Sequence, residues 1–195
     1  MVSRETLISR YFPGREKEIE IYTDFLVTAG IERGLIGPKE GEIIWERHIF
    51  NCLPVISLIP EGVKVIDIGS GAGLPGIPIA LARPDLTVLL VEPLKRRVDF
   101  LHEALTLLNI DGVAVFHGRS QDCKTKAEIV TARAVAPIEK LKSISWHLLK
   151  PAGSLLAIKG MSAQEEAARV PGAQFHELDM EDLPQGRVIS LRKPG

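Results

Sequence analysis

The segment Val63-Lys64-Val65-Ile66-Asp67-Ile68-Gly69-Ser70-Gly71-Ala72-Gly73-Leu74-Pro75-Gly76-Ile77-Pro78 leaves few folds open to this chain. Val63, Val65, Ile66 and Ile68 form a short β-branched run, the pattern of a strand covered on both faces. Glycines at 69, 71 and 73 let the backbone turn sharply and admit a ligand where a Cβ would block it. Pro75 and Pro78 suit the first turn of a helix, where a missing N–H costs nothing. That helix is predicted to run through Ile79, Ala80, Leu81 and Ala82 and to stop near Pro84. A strand, a glycine turn and a helix in this order mark a nucleotide-type site at the carboxyl edge of a parallel sheet.

Gly71-Ala72-Gly73-Leu74-Pro75-Gly76 also fits the dinucleotide pattern G-x-G-x-x-G, which is weak evidence alone. The acids beside it discriminate. A phosphate at this turn would face Asp67, whereas the ammonium and sulfonium charges of S-adenosylmethionine would be attracted by it. Thr87 to Val91 is a second apolar strand, and it ends in Glu92. An acid so placed can accept both hydroxyls of an adenosine ribose, in a dinucleotide as well as in S-adenosylmethionine. The plain structural alternative is that Asp67 only caps the helix and the glycines only make a tight turn.

The remaining chain repeats the alternation. Arg15 to Gly34 carries Ile19, Tyr22, Leu26 and Ala29 at helical spacing and is broken by Gly34-Leu35-Ile36-Gly37-Pro38. A second helical stretch is predicted to about Ile59, through Trp45-Glu46-Arg47-His48. After Pro93, a helix carries Leu94, Val98, Leu101, Leu105 and Leu108 in one stripe, with Lys95, Arg96 and Arg97 in its first turn. Strands are predicted at 113–117, 127–133 and 154–159, and Pro137 opens a helix between the last two. A closing hairpin is predicted at about 173–180 and 187–193. The expected fold is a single α/β domain over 1–195, with a helical cover over 1–60 and a cofactor-binding core over 61–195. Its sheet is seven-stranded and mostly parallel, with an antiparallel C-terminal strand.

Composition narrows the function. The net charge is −1, too low for nucleic-acid binding by bulk charge, so any RNA partner must meet a local patch. Arg47, His48, Lys95, Arg96, Arg97 and Arg119, joined by Lys124, Lys126, Lys140 and Lys142, are the candidates for it. Cys52 and Cys123 supply neither a disulfide framework nor metal-ligand spacing, so no metal is expected. No apolar run approaches membrane-spanning length, and Met1 to Phe12 lacks a signal-peptide profile. A cytoplasmic monomer is the expectation.

Several blocks in order resemble the bacterial 16S rRNA guanine-N7 methyltransferases, the RsmG or glucose-inhibited division protein B family. They are Trp45-x-Arg47-His48, Asp67-x-Gly69-Ser70-Gly71-x-Gly73-x-Pro75-Gly76, Lys95-Arg96, Gly118-Arg119, Thr131-Ala132-Arg133-Ala134-Val135-Ala136-Pro137 and Lys159-Gly160. The resemblance implies a Rossmann-like S-adenosylmethionine site lined by Gly69, Leu74, Glu92, Pro93, Leu94, Ser120, Gln121 and Arg133. Asp67, Ser70, Gly71 and Gly73 belong to the same loop. It also implies a target guanine in the 530 loop of 16S rRNA, presented as free rRNA, the 30S subunit or an assembly intermediate. Asn51-Cys52 departs from the Asp-Ser of many family members.

Guanine N7 has a free in-plane lone pair, so its methylation needs no general base but does need alignment and exclusion of water. The absence of an Asn-Pro-Pro-Tyr segment and of a Pro-Cys pair fits that chemistry. Arg133 and Lys159 are expected to position the substrate by gripping guanine O6, a phosphate or the methionine carboxylate. Three rival readings are a small-molecule methyltransferase, an NAD-dependent oxidoreductase and a non-catalytic cofactor-sensing RNA-binding module.

Overall fold

The structure is a computed structural model that describes residues 2–133 and 135–195. Met1 and Ala134, the latter part of the Thr131–Pro137 block, lie outside the described residues. Seven strands form one sheet: β1 (Lys64–Ile68), β2 (Thr87–Glu92), β3 (Val113–His117), β4 (Ala127–Arg133), β5 (Leu149–Ile158), β6 (Ala173–Leu178) and β7 (Gly186–Arg192). Their spatial order is β3-β2-β1-β4-β5-β7-β6. β1 pairs in parallel with both β2 and β4, and β7 runs antiparallel to both its neighbours. The order reverses between β1 and β4, so a crevice opens above their carboxyl ends.

Period-two alternation sorts the strand side chains onto two cores. Val65 and Ile129 pack with α3 (Gly76–Ala82), α4 (Lys95–Leu108) and the N-terminal helices. Ile66, Ile68, Val130 and Ala132 pack on the opposite face with α5 (Ile138–Ser145) and α6 (Ala163–Ala168). By the same alternation Asp67, Thr131 and Arg133 project toward the N-terminal side. Glycine at 76 lets α3 lie this close to the sheet, since a Cβ there would stand 2.3 Å from Leu90 Cδ2.

The N-terminal cover departs from the expected two helices. An additional helix, α1 (Arg4–Tyr11), precedes them, and Ser3 caps it by accepting from the Thr6 N–H. Tyr11 donates its hydroxyl to the Glu181 carbonyl, and Arg10 pairs with Asp182, tying α1 to the β6–β7 connection. α2 (Glu16–Phe25) buries Ile19 and Tyr22 and then widens into a π turn at Leu26–Gly30. Each large apolar side chain so buried contributes about 1.5–3 kcal/mol. Phe25 stacks on Phe100 of α4 at 4.5 Å between ring centroids.

The stretch expected as a second helix is a chain of short turns: 3-10 at Pro38–Ile43, π at Trp45–Ile49, then 3-10 at Phe50–Cys52 and Pro54–Leu58. Pro38 and Pro54 lack the N–H a continuous helix needs there, and Gly41 weakens the first turn. β5 also starts five residues before its predicted 154, at Leu149. Lys150-Pro151-Ala152-Gly153, which lies ahead of the predicted strand, instead forms an irregularity inside it, where the register with β4 shifts and Ala152 has φ +58°.

Candidate functional site

The loop leaving β1 is shaped by what surrounds it. Gly69 and Gly71 have φ of +67° and +59°, a region open to glycine at little steric cost. A Cβ on Gly73 would stand 2.5 Å from Ile77 Cδ1 and 2.9 Å from the Tyr22 hydroxyl. That buried hydroxyl donates to the Ala72 carbonyl at 2.8 Å, so α2 braces the loop from behind. Packing alone therefore requires glycine at 73, which lines neither of the cavities described below.

Asp67 corrects the expectation most attached to the loop. It is fully buried, and its Oδ2 accepts from the Gly76 N–H at 3.2 Å at the start of α3. Its Oδ1 accepts from the Thr131 hydroxyl at 3.3 Å. Burial pushes its pKa up to about 7, against hydrogen bonds and the Arg133 charge that favour the ionised form. Asp67 lines neither cavity at the rim, because alternation along β1 turns it under α3. Its hydrogen bonds staple the loop to the helix and to β4.

A cavity of about 640 Å³ opens above the carboxyl ends of β1, β2 and β4. One wall is Gly69, Ser70, Gly71, Ala72 and Leu74. Glu92, Pro93, Leu94 and Arg97 form a second, and Leu35, Ile36, Gly37, Glu40 and His48 of the N-terminal cover form a third. Arg133 and Val135 complete it. Glu92 is buried, and its carboxylate accepts from the Gly71 N–H at 2.9 Å and the Leu94 N–H at 3.0 Å. Each oxygen keeps a lone pair for a further donor. Arg97, expected to face RNA, lies at this wall with Nη1 3.7 Å from Glu92 Oε2. Ser120 and Gln121 line an adjoining cavity of about 150 Å³ with Arg119 and Ile144. Gly69, Pro93 and Val135 border both cavities.

The two cations expected to position substrate separate. Arg133, half-buried, faces the main cavity and donates from Nη2 to His48 Nδ1 at 3.1 Å. Lys159 does not reach that cavity. Its ammonium donates to the Ala136 carbonyl at 2.6 Å and pairs with Glu166 of α6 at 2.9 Å. These contacts pin the segment after β4 onto α6.

The expected RNA-facing cations also divide. Arg47 is 62% exposed at the rim, 3.6 Å from Glu40. His48 instead turns inward between Arg133 and Glu40. Lys95 is paired with Asp99 on its own helix, and Arg96 and Arg119 are exposed. Lys126 leads straight into the amino end of β4, the edge opposite the site, and Lys142 sits over the Trp146 ring.

The cavity residues missed in the sequence are Leu35, Ile36, Gly37, Glu40, Ala72 and Val135. The one available signal was the apolar pair Leu35-Ile36 set between glycines, which reads only as a helix break.

A sequence model described as "GidB: rRNA small subunit methyltransferase G" matches residues 15–184. The chain belongs to this family. A relative from Kineococcus radiotolerans, "Ribosomal RNA small subunit methyltransferase G", is 51% identical over 187 residues, covering 94% of the chain and 72% of the relative. One of the same name from Thermobifida fusca is 53% identical over 147 residues, covering 74% of the chain and 62% of the relative. The chain thus spans between 62% and 72% of the length of these family members. Among solved structures, a putative S-adenosyl-L-methionine-dependent methyltransferase from Methanococcus maripaludis aligns with TM-score 0.58 at 14% identity, over 82% of this chain and 93% of that one. At that identity the likeness concerns fold alone, and the fold is that of the Rossmann-like methyltransferases. Among the described residues no helix is long and apolar enough to cross a membrane, and no cluster of three or more His, Cys, Asp or Glu is placed to hold a metal.

Proposed function

We propose that this family member transfers a methyl group from S-adenosylmethionine to N7 of a guanine in the 530 loop of 16S rRNA. The observation that carries the reading is a cavity that joins a ribose-ready carboxylate, Glu92, to the Arg133 guanidinium. Asp67 is sealed beneath the loop, and the remaining acids, Glu92 and Glu40, are held by backbone N–H groups and by His48.

The cavity fits the cofactor in size and in polarity, being large enough for a nucleoside with an amino-acid tail. Glu92 would accept the ribose hydroxyls, Pro93 and Leu94 would cover the base, and Ser70 and Gly71 would border the tail. When bound, the cofactor supplies an electrophilic methyl on a positively charged sulfur. This chain's residues supply placement. Arg133 donates toward guanine O6, the acceptor beside N7, and so sets which purine edge faces the cavity. N7 attacks with its own lone pair, so no proton moves. A cation beside a purine that becomes positive gives no product stabilisation, which makes Arg133 a positioning group. Val135 and the Leu35-Ile36 wall keep water from the reacting centre.

The family and the exposed cations Arg47, Arg96 and Arg119 support this substrate chemistry. A ribosomal substrate fits a protein that works in the cytoplasm. The test offers radiolabelled S-adenosylmethionine with 30S subunits, naked 16S rRNA or a small-molecule mixture, and identifies the labelled product. Labelled N7-methylguanosine from an RNA arm is the expected outcome. Label confined to the small-molecule arm supports the rival methyltransferase, and no label in any arm supports a cofactor-sensing module.

A further inference from the structure

Arg133 is the last residue of β4, and its long side chain has many rotamers to lose if it is to present one edge to a base. Its guanidinium meets an imidazole, an unusual partner because arginine only donates. His48 Nδ1 must then be the unprotonated acceptor, which leaves the proton on Nε2. That nitrogen faces Glu40 Oε2 within hydrogen-bonding reach. One tautomer satisfies both contacts, so the chain Glu40–His48–Arg133 has a single polarity.

The backbone supports the arrangement. Trp45–Ile49 is a π turn, closed by the Phe50 N–H on the Trp45 carbonyl. This wider turn buries Trp45 and Ile49 and places His48 toward β4, with its side chain 12% exposed. Such turns recur at functional sites.

We infer that Glu40 and His48 are positioning residues that hold the Arg133 guanidinium in the orientation the substrate base requires. The inference rests on the proposed reaction for its purpose but on contacts within this chain for its geometry. Burial lowers the His48 pKa, and the Arg133 and Arg47 charges add to that, while Glu40 opposes it. Glu40 is itself held in its ionised form chiefly by the His48 hydrogen bond, with Arg47 and Arg133 also favouring it. At neutral pH the imidazole is therefore neutral and able to accept. Protonation at lower pH puts an N–H against the guanidinium and releases Arg133.

The test reads Arg133 directly by 15N NMR of its guanidinium, assigned with Arg133→Lys. Hindered guanidinium rotation is expected in the wild-type protein at neutral pH, and free rotation in His48→Ala or after acidification. His48→Gln, which can accept from Arg133 and donate to Glu40, should restore part of the hindrance. Methyl transfer should fall roughly tenfold or more in His48→Ala, the loss of one charge-assisted hydrogen bond. The acid limb of the pH–rate profile should move to lower pH in Glu40→Gln, since Glu40 favours the protonated imidazole. Free rotation in the wild type, or an acid limb unmoved by Glu40→Gln, overturns the inference. Hindered, His48-dependent rotation in a protein that methylates no RNA upholds the positioning chain and overturns the proposed function.

Discussion

At the scale of single residues, Asp67 and Arg133 show how one alternation seals one side chain under a helix and leaves the other at the cavity. Both project to the same side of the sheet, but Asp67 lies beneath α3 and Arg133 beyond it at the strand end. Asp67 is held with a raised pKa of about 7, against an ordinary value of 3.8. Its protonated form therefore favours the folded state. The stabilisation is complete below the unfolded value and is lost as pH rises through about 7. Asp67→Asn removes that dependence. The unfolding free energy of the wild type relative to the variant should decline between about pH 5 and pH 8, by on the order of a few kcal/mol. Urea melts at the two pH values check it. Arg133→Ala should lower methyl transfer by roughly 10–100-fold, the worth of a charge-assisted hydrogen bond, with the far-UV spectrum unchanged. Near-normal turnover would remove Arg133 from the site.

At the scale of elements, the strands and the N-terminal cover differed in legibility for physical reasons. β1, β2, β3 and β4 lie close to their predicted bounds because buried strands carry β-branched runs closed by turn residues. The cover did not read so well. Its side chains follow a mixture of 3-10 and π turns, and no single period describes Pro38 to Leu58. The contribution of that region to the cavity, through Leu35, Glu40 and His48, was hidden for the same reason. Lys159 misled differently, since a cation at a strand end looks alike whether it meets substrate or, as here, a carbonyl and Glu166. The coupling between α2 and the glycine loop is testable through Tyr22→Phe. Losing the bond to the Ala72 carbonyl costs about 1 kcal/mol, which lowers the melting temperature by about 2–4 °C for a chain of this size. S-adenosylmethionine affinity should fall as well, because the freed loop forms the cavity wall. Calorimetry measures both.

At the scale of the molecule, a net charge of −1 leaves RNA binding to a local patch, for which the exposed Arg47, Arg96 and Arg119 are the candidates. Arg47, Arg96 and Arg119 suggest a few phosphate contacts. The logarithm of RNA affinity should fall with the logarithm of salt with a slope of roughly −2 to −3. A flat dependence would contradict that patch. The same scale carries the chemical claim, that a purine nitrogen needing no base attacks above the carboxyl edge of this sheet. Methylation at N7 leaves the imidazole ring positively charged and open to reduction and aniline-promoted strand scission. The decisive measurement is that cleavage applied to 16S rRNA before and after incubation with the protein and S-adenosylmethionine. One new scission at a guanine of the 530 loop is the expected result. Methyl incorporation that produces no scission would place the new carbon elsewhere and contradict the account.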